Sequence, residues 1–179
     1  MLSAKEASSI YPDICDLISG LSYGLKISEP DFIIADYNSP LLRPGMWAQV
    51  LHKQDYKQLK RSLLIINREI VDYHEILVGV ITHELMHMHQ MEYTPDIFAM
   101  GQYGRKYAYG KDVYTDAAEI NADAMGICVM SLLTGYDIRD CAAALCHNEQ
   151  NEAKKEYEIR IKYATINYKK IKEKINAIY

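Results

Sequence analysis

The first half of the chain combines one helical pattern of apolar positions with three strand-like ones. Residues 3–22 carry apolar side chains at helical spacing and predict an N-terminal helix, whose main body Pro12 can start. Three short segments are rich in β-branched and aliphatic residues and predict strands: 31–36, 46–51 and 62–70. The order predicts a helix followed by a small sheet.

The second half predicts helices, apart from one long segment. Residues 74–91 and 115–135 are too long and too continuous for strands, so both predict helices. Residues 137–148 predict a shorter helix capped by Asp137. Residues 92–114 hold three glycines, one proline and five tyrosines without clear periodicity, which indicates a functional loop.

The C-terminal segment predicts a charged helix with an apolar seam, in which apolar residues recur in steps of four and three over about three heptads. We favour packing of this helix on its own domain, because three heptads are short for an independent coiled coil. The alternative is a homodimer or partner surface through residues 157–178. We therefore divide the chain into a domain of residues 1–148 and a helix of residues 149–179.

Composition and charge narrow the classes of function. Of the 179 residues, 49% are hydrophobic and 25% are charged, which is typical of a globular domain. The net charge of −4 makes nucleic acid a poor partner. The sequence begins without a signal-peptide pattern and has no long uninterrupted apolar window, so we expect a cytoplasmic chain that does not span a membrane.

The four cysteines form no CxxC pair and are expected to be reduced thiols. Cys141, Cys146 and His147 could suggest a second metal site. A shared helix face is the simpler interpretation of these three residues.

The segment HELMH, residues 83–87, carries the candidate chemistry. In a helix, residues four apart share a face, so His83 and His87 can bind one metal ion. Glu84 lies beside the pair and can reach a metal-bound water without being a ligand. A catalytic zinc takes three protein ligands and one water, so this motif requires a third ligand from another element.

The second predicted helix supplies two carboxylates four residues apart, Glu119 and Asp123. Both are unusual among its alanine, isoleucine and methionine residues, because a buried carboxylate is costly unless it is paired or bound to a cation. As a metal ligand, Glu119 would avoid that cost. Asp123 could accept a hydrogen bond from the second ring nitrogen of a ligand histidine. The alternative is a set of satisfied core polar residues, which the coincidence of two motifs disfavours.

These two motifs, HELMH and the downstream EINAD, resemble the gluzincin branch of zinc metallopeptidases over about residues 60–130. The short chain also resembles minimal zincins such as the ImmA/IrrE-type peptidases. The resemblance implies an α+β, zincin-like fold with an N-terminal helix, about three strands in a mixed sheet, two motif helices and a long C-terminal helix. It implies Zn²⁺ as the cofactor.

The resemblance also implies a role for each motif residue. The implied zinc ligands are His83, His87 and Glu119. Glu84 would be the general base and acid, and Asp123 would support a ligand, most simply His83. Gluzincins also use a tyrosine or histidine to stabilise the oxyanion. The candidates for that role are Tyr107, Tyr109, Tyr114 and His147, and simple packing is the alternative for each tyrosine, since the chain holds 15 of them.

The expected function is zinc-dependent hydrolysis of peptide bonds in a protein or peptide substrate. An edge strand just before the motif helix would pair with the extended substrate, and either 46–51 or 62–70 could supply that edge. Residues 92–114 would form a rim or lid. The alternative is a catalytically weak or inactive zincin-fold protein that acts as a protein-binding module; Glu84 favours the enzyme, because binding alone does not need it.

Overall fold

The computed structural model describes residues 4–96, 117–146 and 151–176 of the chain. These residues form an α+β fold, which confirms the predicted fold class. The six helices of the described ranges are α1 (Ala4–Ile10), α2 (Pro12–Leu25), α3 (His74–Tyr93), α4 (Ala117–Thr134), α5 (Ile138–Leu145) and α6 (Asn151–Asn176). The three strands are β1 (Asp31–Ala35), β2 (Ala48–Leu51) and β3 (Leu63–Asn67).

The N-terminal helix predicted over residues 3–22 is in fact two helices that meet at Tyr11. Proline disfavours the helical conformation in the residue before it, and Tyr11 accordingly has a φ of −123° and a ψ of 65°. The helix α2 also runs beyond the predicted end, to Leu25. Lys26 caps its C-terminus with a φ of 58°, in the left-handed region.

The sheet is mixed, with β3 at its centre. β1 pairs with β3 in parallel and β2 pairs with it antiparallel. The third predicted strand, 62–70, is too long, because the Asn67 side chain accepts a hydrogen bond of 3.0 Å from the Glu69 backbone amide and Arg68–Ile70 form a 3-10 helix. Since β3 is paired on both sides, it cannot offer an edge to a substrate, so that part of the prediction is wrong. Among the strands that the structure describes, nothing pairs with the outer edge of β2.

In the second half of the chain, the helices begin and end within a few residues of the predicted positions. The amide of Gly135, whose φ is 77°, donates to the Ser131 carbonyl at 2.9 Å just after α4 ends. The Asp137 carboxylate accepts from the Arg139 amide at 2.8 Å and caps α5. Helix α5 ends at Leu145, earlier than predicted.

The core lies between the sheet and the helices and continues into α6. Its buried residues include Ile34, Ile66, Ile81, Leu85, Met88, Ile127, Val129, Ile161 and Ala164. The apolar seam of α6 therefore packs on the rest of the chain through Ile161 and Ala164. Helix α4 has the length and composition to cross a membrane, but more than half of it is buried in the fold, and the core helices of soluble proteins share this property.

Candidate metal centre

Helices α3 and α4 pack antiparallel and bring the two motifs together. The pairs that face each other, from one end of the helix pair to the other, are Gly79–Gly126, His83–Asp123, His87–Glu119 and Gln90–Ala118. Residue numbers rise along α3 as they fall along α4. The i, i+4 spacing within each motif therefore becomes a matched set of side chains across the helix interface.

The three candidate ligands converge on one point. The Nε2 atoms of His83 and His87 lie 2.9 Å apart, and Oε2 of Glu119 lies 3.4 Å and 3.5 Å from them. Around a tetrahedral zinc with bonds of roughly 2.0–2.1 Å, neighbouring ligand atoms are about 3.3 Å apart. The triangle of donor atoms thus has nearly the size of one face of that tetrahedron, and this group could hold a metal ion.

Each histidine is oriented through its other ring nitrogen. Nδ1 of His83 lies 2.8 Å from Oδ1 of Asp123, the residue predicted to support it. Nδ1 of His87 lies 2.9 Å from Oε1 of Gln90. Because a carboxylate and an amide oxygen can only accept, both Nδ1 atoms carry a proton, and both Nε2 atoms face the common point.

The buried Gln90 was missed by the sequence analysis. Its amide nitrogen donates to the Ala118 carbonyl at 2.8 Å, so it ties the His87 ring to α4. The available signal was a glutamine three residues after a ligand histidine, on the buried face of the same helix.

Helix α6 reaches the centre through Arg160. Nε of Arg160 donates to Oδ2 of Asp123, and the Arg160 side chain is buried. Asp123 therefore joins His83 through one oxygen and Arg160 through the other. This ion pair was not predicted from the sequence; the available signal was an arginine next to Ile161 in the apolar seam.

The charged groups shift one another's pKa. Burial acts to lower the pKa of His83, but hydrogen bonds to Asp123 and Glu119 outweigh it and raise that pKa well above its usual value. Burial acts to raise the pKa of Glu119, yet its hydrogen bonds to His83 and His87 lower that pKa far below its usual range. The pKa of Asp123 is also lowered. Burial acts to raise this pKa, but the interactions with His83, and then with Arg160, outweigh burial. In the metal-free chain, a proton on His83 thus supplies positive charge that a metal ion would replace.

Glu84 lies beside the ligands and contacts β2. Its Oε2 accepts a hydrogen bond of 2.9 Å from the Val50 backbone amide. In an antiparallel pair, successive residues point their amides alternately toward and away from the partner. The Asn67 amide donates to the Trp47 carbonyl at 2.8 Å, so the Val50 amide points away from β3, to the outer edge of β2. Glu84 is therefore held at that edge.

A cleft of about 390 Å³ opens beside these residues. Its polar lining includes His83, Glu84, Asp123 and Arg160, and its apolar lining includes Met46, Trp47, Ala48, Val80 and Leu145. The cleft therefore borders both β2 and α3, which is where the sequence analysis expects a substrate to lie.

At one end of the cleft, α3 and α4 approach closely because two glycines face each other. A Cβ atom on Gly126 would lie 2.6 Å from the Gly79 carbonyl oxygen. A Cβ atom on Gly79 would lie 2.6 Å from both Cδ atoms of Leu145, whose side chain packs over this pair.

The other residues considered in the sequence lie either away from the three candidate ligands or outside the described residues. Tyr107, Tyr109, Tyr114 and His147, the oxyanion candidates, lie outside the described ranges, as does most of the predicted loop 92–114. His89 points away from the ligands, and its Nδ1 lies 2.9 Å from the Leu25 carbonyl oxygen.

The four cysteines are free thiols. Cys141 is buried, and its Sγ donates to the Tyr136 carbonyl at 3.9 Å. Cys146 lines the cleft, where burial, and then the nearby Asp123, raise its pKa to about 12. The Cys146 thiol is therefore protonated and a poor nucleophile or metal ligand near neutral pH.

Comparison of the chain with known proteins finds no match: no protein-family model, no curated protein and no solved structure matches it. The resemblance to gluzincins therefore depends on the two motifs. What the structure adds is the convergence of His83, His87 and Glu119 into a group that could bind a metal ion.

Proposed function

We propose that the chain is a gluzincin-type, zinc-dependent peptidase that hydrolyses peptide bonds of a protein or peptide substrate. The observation that carries this proposal is that Glu84 directly follows His83, a member of the His83, His87 and Glu119 group, and lines the same cleft as His83. A binding site alone requires the three ligands but not a carboxylate next to them.

The donor set suits zinc. Two imidazole nitrogens and one carboxylate oxygen are typical ligands of catalytic zinc, and they leave one position for water or substrate. Asp123 and Gln90 orient the two imidazoles, which catalytic sites of this type require. When bound, zinc would lower the pKa of a coordinated water to about 7 and polarise the substrate carbonyl.

Glu84 would act as the general base and then as the general acid. Its carboxylate accepts the proton of the attacking water and passes it to the leaving amine. The Val50 amide, 2.9 Å from Oε2, fixes one oxygen of Glu84 and so limits the orientations of the carboxylate. This hydrogen bond takes none from the sheet, because the Val50 amide points away from β3 and does not pair with it.

An extended substrate would pair with the outer edge of β2. In the antiparallel register, Ala48 directs both of its backbone groups to that edge, and Val50 offers its carbonyl there, since its amide donates to Glu84. Ala48 lines the cleft together with His83 and Glu84, so a peptide paired there would pass these two residues.

The test is Glu84→Gln, measured beside wild type for zinc content and for hydrolysis of unfolded casein and of a mixed peptide library. We expect about one zinc per chain in both proteins and a loss of hydrolysis of about 100-fold or more in the variant. Glu75→Gln is the matched control, since Glu75 is exposed on the same helix. Equal hydrolysis by Glu84→Gln and wild type would contradict the proposal.

The hydrogen bond between Glu84 and Val50 also favours a second candidate, a catalytically weak or inactive zincin-fold binding protein, because it already engages the general base at the strand edge. In that case wild type and Glu84→Gln both bind zinc, neither hydrolyses the substrates, and a peptide that pairs with β2 binds both proteins equally well.

A further inference from the structure

We propose that Leu145 determines the size of the apolar substrate side chain that the cleft accepts beside the scissile bond. This inference rests on the proposed function and assigns a substrate class to it: peptides with an aliphatic side chain at that position. Leu145 belongs to α5, outside both motif helices, and the motif resemblance gives it no role.

The wall that Leu145 forms lies one helical turn from the metal centre. Gly79 precedes His83 by four residues, and Gly126 follows Asp123 by three, so both glycines share a helix face with the motif residues. Four residues correspond to about 6 Å along a helix axis. A substrate side chain next to a bond positioned at the metal can therefore reach this part of the cleft.

The wall is made by a side chain and not by backbone. The Leu145 isobutyl group occupies the space above Gly79, at the distances given above, and lines the cleft while remaining partly exposed. Cys146, the next residue, also lines the cleft. Shortening Leu145 would open space down to the Gly79–Gly126 pair, whereas adding a methyl group at Gly79 would push Leu145 outward.

The chemistry of the lining selects an apolar side chain. Met46, Trp47, Val80 and Leu145 supply apolar surface to the cleft. Of the charged residues that line it, Asp123 and Arg160 pair with each other, and Glu84 lies directly after the ligand His83, where the proposed function uses it. At the Leu145 wall, one helical turn from Glu84 and the ligands, a charged substrate side chain would lose its hydration, and Asp123 and Arg160 already compensate each other there.

The test uses zinc-loaded protein and a series of peptide hydroxamates whose side chain next to the hydroxamate is a methyl, an isobutyl, a benzyl or a naphthylmethyl group. Binding is measured by calorimetry, which needs no turnover. We expect Leu145→Ala to shift the affinity ratio of naphthylmethyl to isobutyl compounds upward by about 10-fold or more. We expect Gly79→Ala to shift the same ratio downward.

The matched control is Leu132→Ala, the same truncation of a partly buried core leucine that does not line the cleft. It should leave the ratio unchanged. Leu145→Val, a smaller truncation, decides the question if Leu145→Ala does not fold, and it should shift the ratio in the same direction.

An unchanged ratio in folded, zinc-binding Leu145 variants would overturn the inference, as would the same shift in Leu132→Ala. Failure of every hydroxamate to bind zinc-loaded wild type would overturn it too. The proposed function is judged separately by peptide hydrolysis. A size shift in hydroxamate binding without any hydrolysis would support Leu145 as the wall and reject the peptidase.

Discussion

The two ends of the α3–α4 pair differ in what lies between the helices. At the ligand end, imidazoles and carboxylates fill the space between the helices, and each ring has a defined partner for its Nδ1 atom. At the glycine end, the helices touch because Gly79 and Gly126 have no side chains. The contact at the ligand end is made by hydrogen bonds and ion pairs between side chains. The contact at the glycine end is possible because its two residues have no side chain.

The difference shows how the spacing of the donor atoms is set. A carboxylate and two imidazoles converge only if the helix axes keep a fixed separation, and polar side chains on flexible stems do not impose one. The contact of Gly126 with the Gly79 backbone is rigid, because nothing there can change rotamer. The glycine end therefore holds the geometry that the ligand end uses.

The strongest way to break the ligand end is to remove a ligand. His87→Ala should lower zinc affinity by more than about 100-fold, since even residues that only support ligands contribute about 10- to 100-fold. Elemental analysis of the purified proteins and a competition titration with a chelator measure the effect. His74→Ala, at an exposed position of the same helix, should retain about one zinc per chain. Full zinc content in His87→Ala would show that this group is not the metal site.

The glycine end is broken by adding single methyl groups. Gly126→Ala should reduce the free energy of unfolding by about 1–3 kcal/mol, because its Cβ would meet backbone that cannot yield without moving a helix. Gly79→Ala should cost less, because its Cβ would meet the end of the Leu145 side chain. Urea unfolding of the metal-free proteins compares the two. Equal losses would mean that the Gly79 contact is as rigid as the Gly126 contact.

A finer test links the two ends through zinc. Gly126→Ala should also lower the affinity for zinc. Leu132→Ala, a truncation elsewhere in the core, should lower the free energy of unfolding but leave the zinc affinity of the folded protein unchanged. Chelator competition under conditions where both variants are fully folded separates the two effects. Unaltered zinc affinity in Gly126→Ala would disconnect the glycine contact from the ligand geometry.

The support of the His87 ring is tested by Gln90→Met, which keeps the length of the side chain but removes the hydrogen bonds to Nδ1 and to the Ala118 carbonyl. We expect zinc affinity to fall by about 10- to 100-fold. Gln54→Met, at an exposed position, controls for the exchange of residue types. An unchanged affinity in Gln90→Met would show that packing alone orients the ring.

The smallest expected effect is the release of protons. Since the pKa of His83 in the metal-free chain is raised well above its usual value, His83 carries a proton near neutral pH that zinc must displace. Zinc affinity should therefore rise with pH until the pH passes that pKa, and calorimetry in buffers of different ionisation enthalpy should detect the released proton. Asp123→Asn removes one hydrogen bond that raises this pKa and should reduce the release at neutral pH. Release that is equal in the two proteins would contradict this account.

The sequence predicted those parts of the molecule that repeat at a fixed spacing. The helical period predicted α3 and α4, and the i, i+4 pairs singled out four residues that the structure brings together: His83, His87, Glu119 and Asp123. Short runs of β-branched and aliphatic residues predicted three strands, and the family resemblance implied that their sheet is mixed. The order of the strands could not be predicted from this pattern, because it depends on the pairing of β1 with β3, which are not consecutive strands.

The features that the sequence missed are single residues whose partners lie on other elements. Gln90 and Arg160 have no companion at a regular spacing, so their roles depend on tertiary contacts with Ala118 and Asp123. The same is true of Leu145, which becomes part of the cleft only because α5 packs over Gly79. Local rules also misjudged the N-terminal helix, where the restriction imposed by Pro12 on the preceding residue divides it.

The ion pair between Arg160 and Asp123 has a consequence for the order of events during synthesis. A ribosome makes the chain from its N-terminus, so both histidines and both carboxylates leave the exit tunnel before α6 does. Until then, Asp123 lacks the guanidinium that neutralises it, and the core lacks Ile161 and Ala164. The candidate metal centre is thus completed only when α6 packs, and a nascent chain that still lacks α6 carries every candidate ligand without the packed frame that positions them.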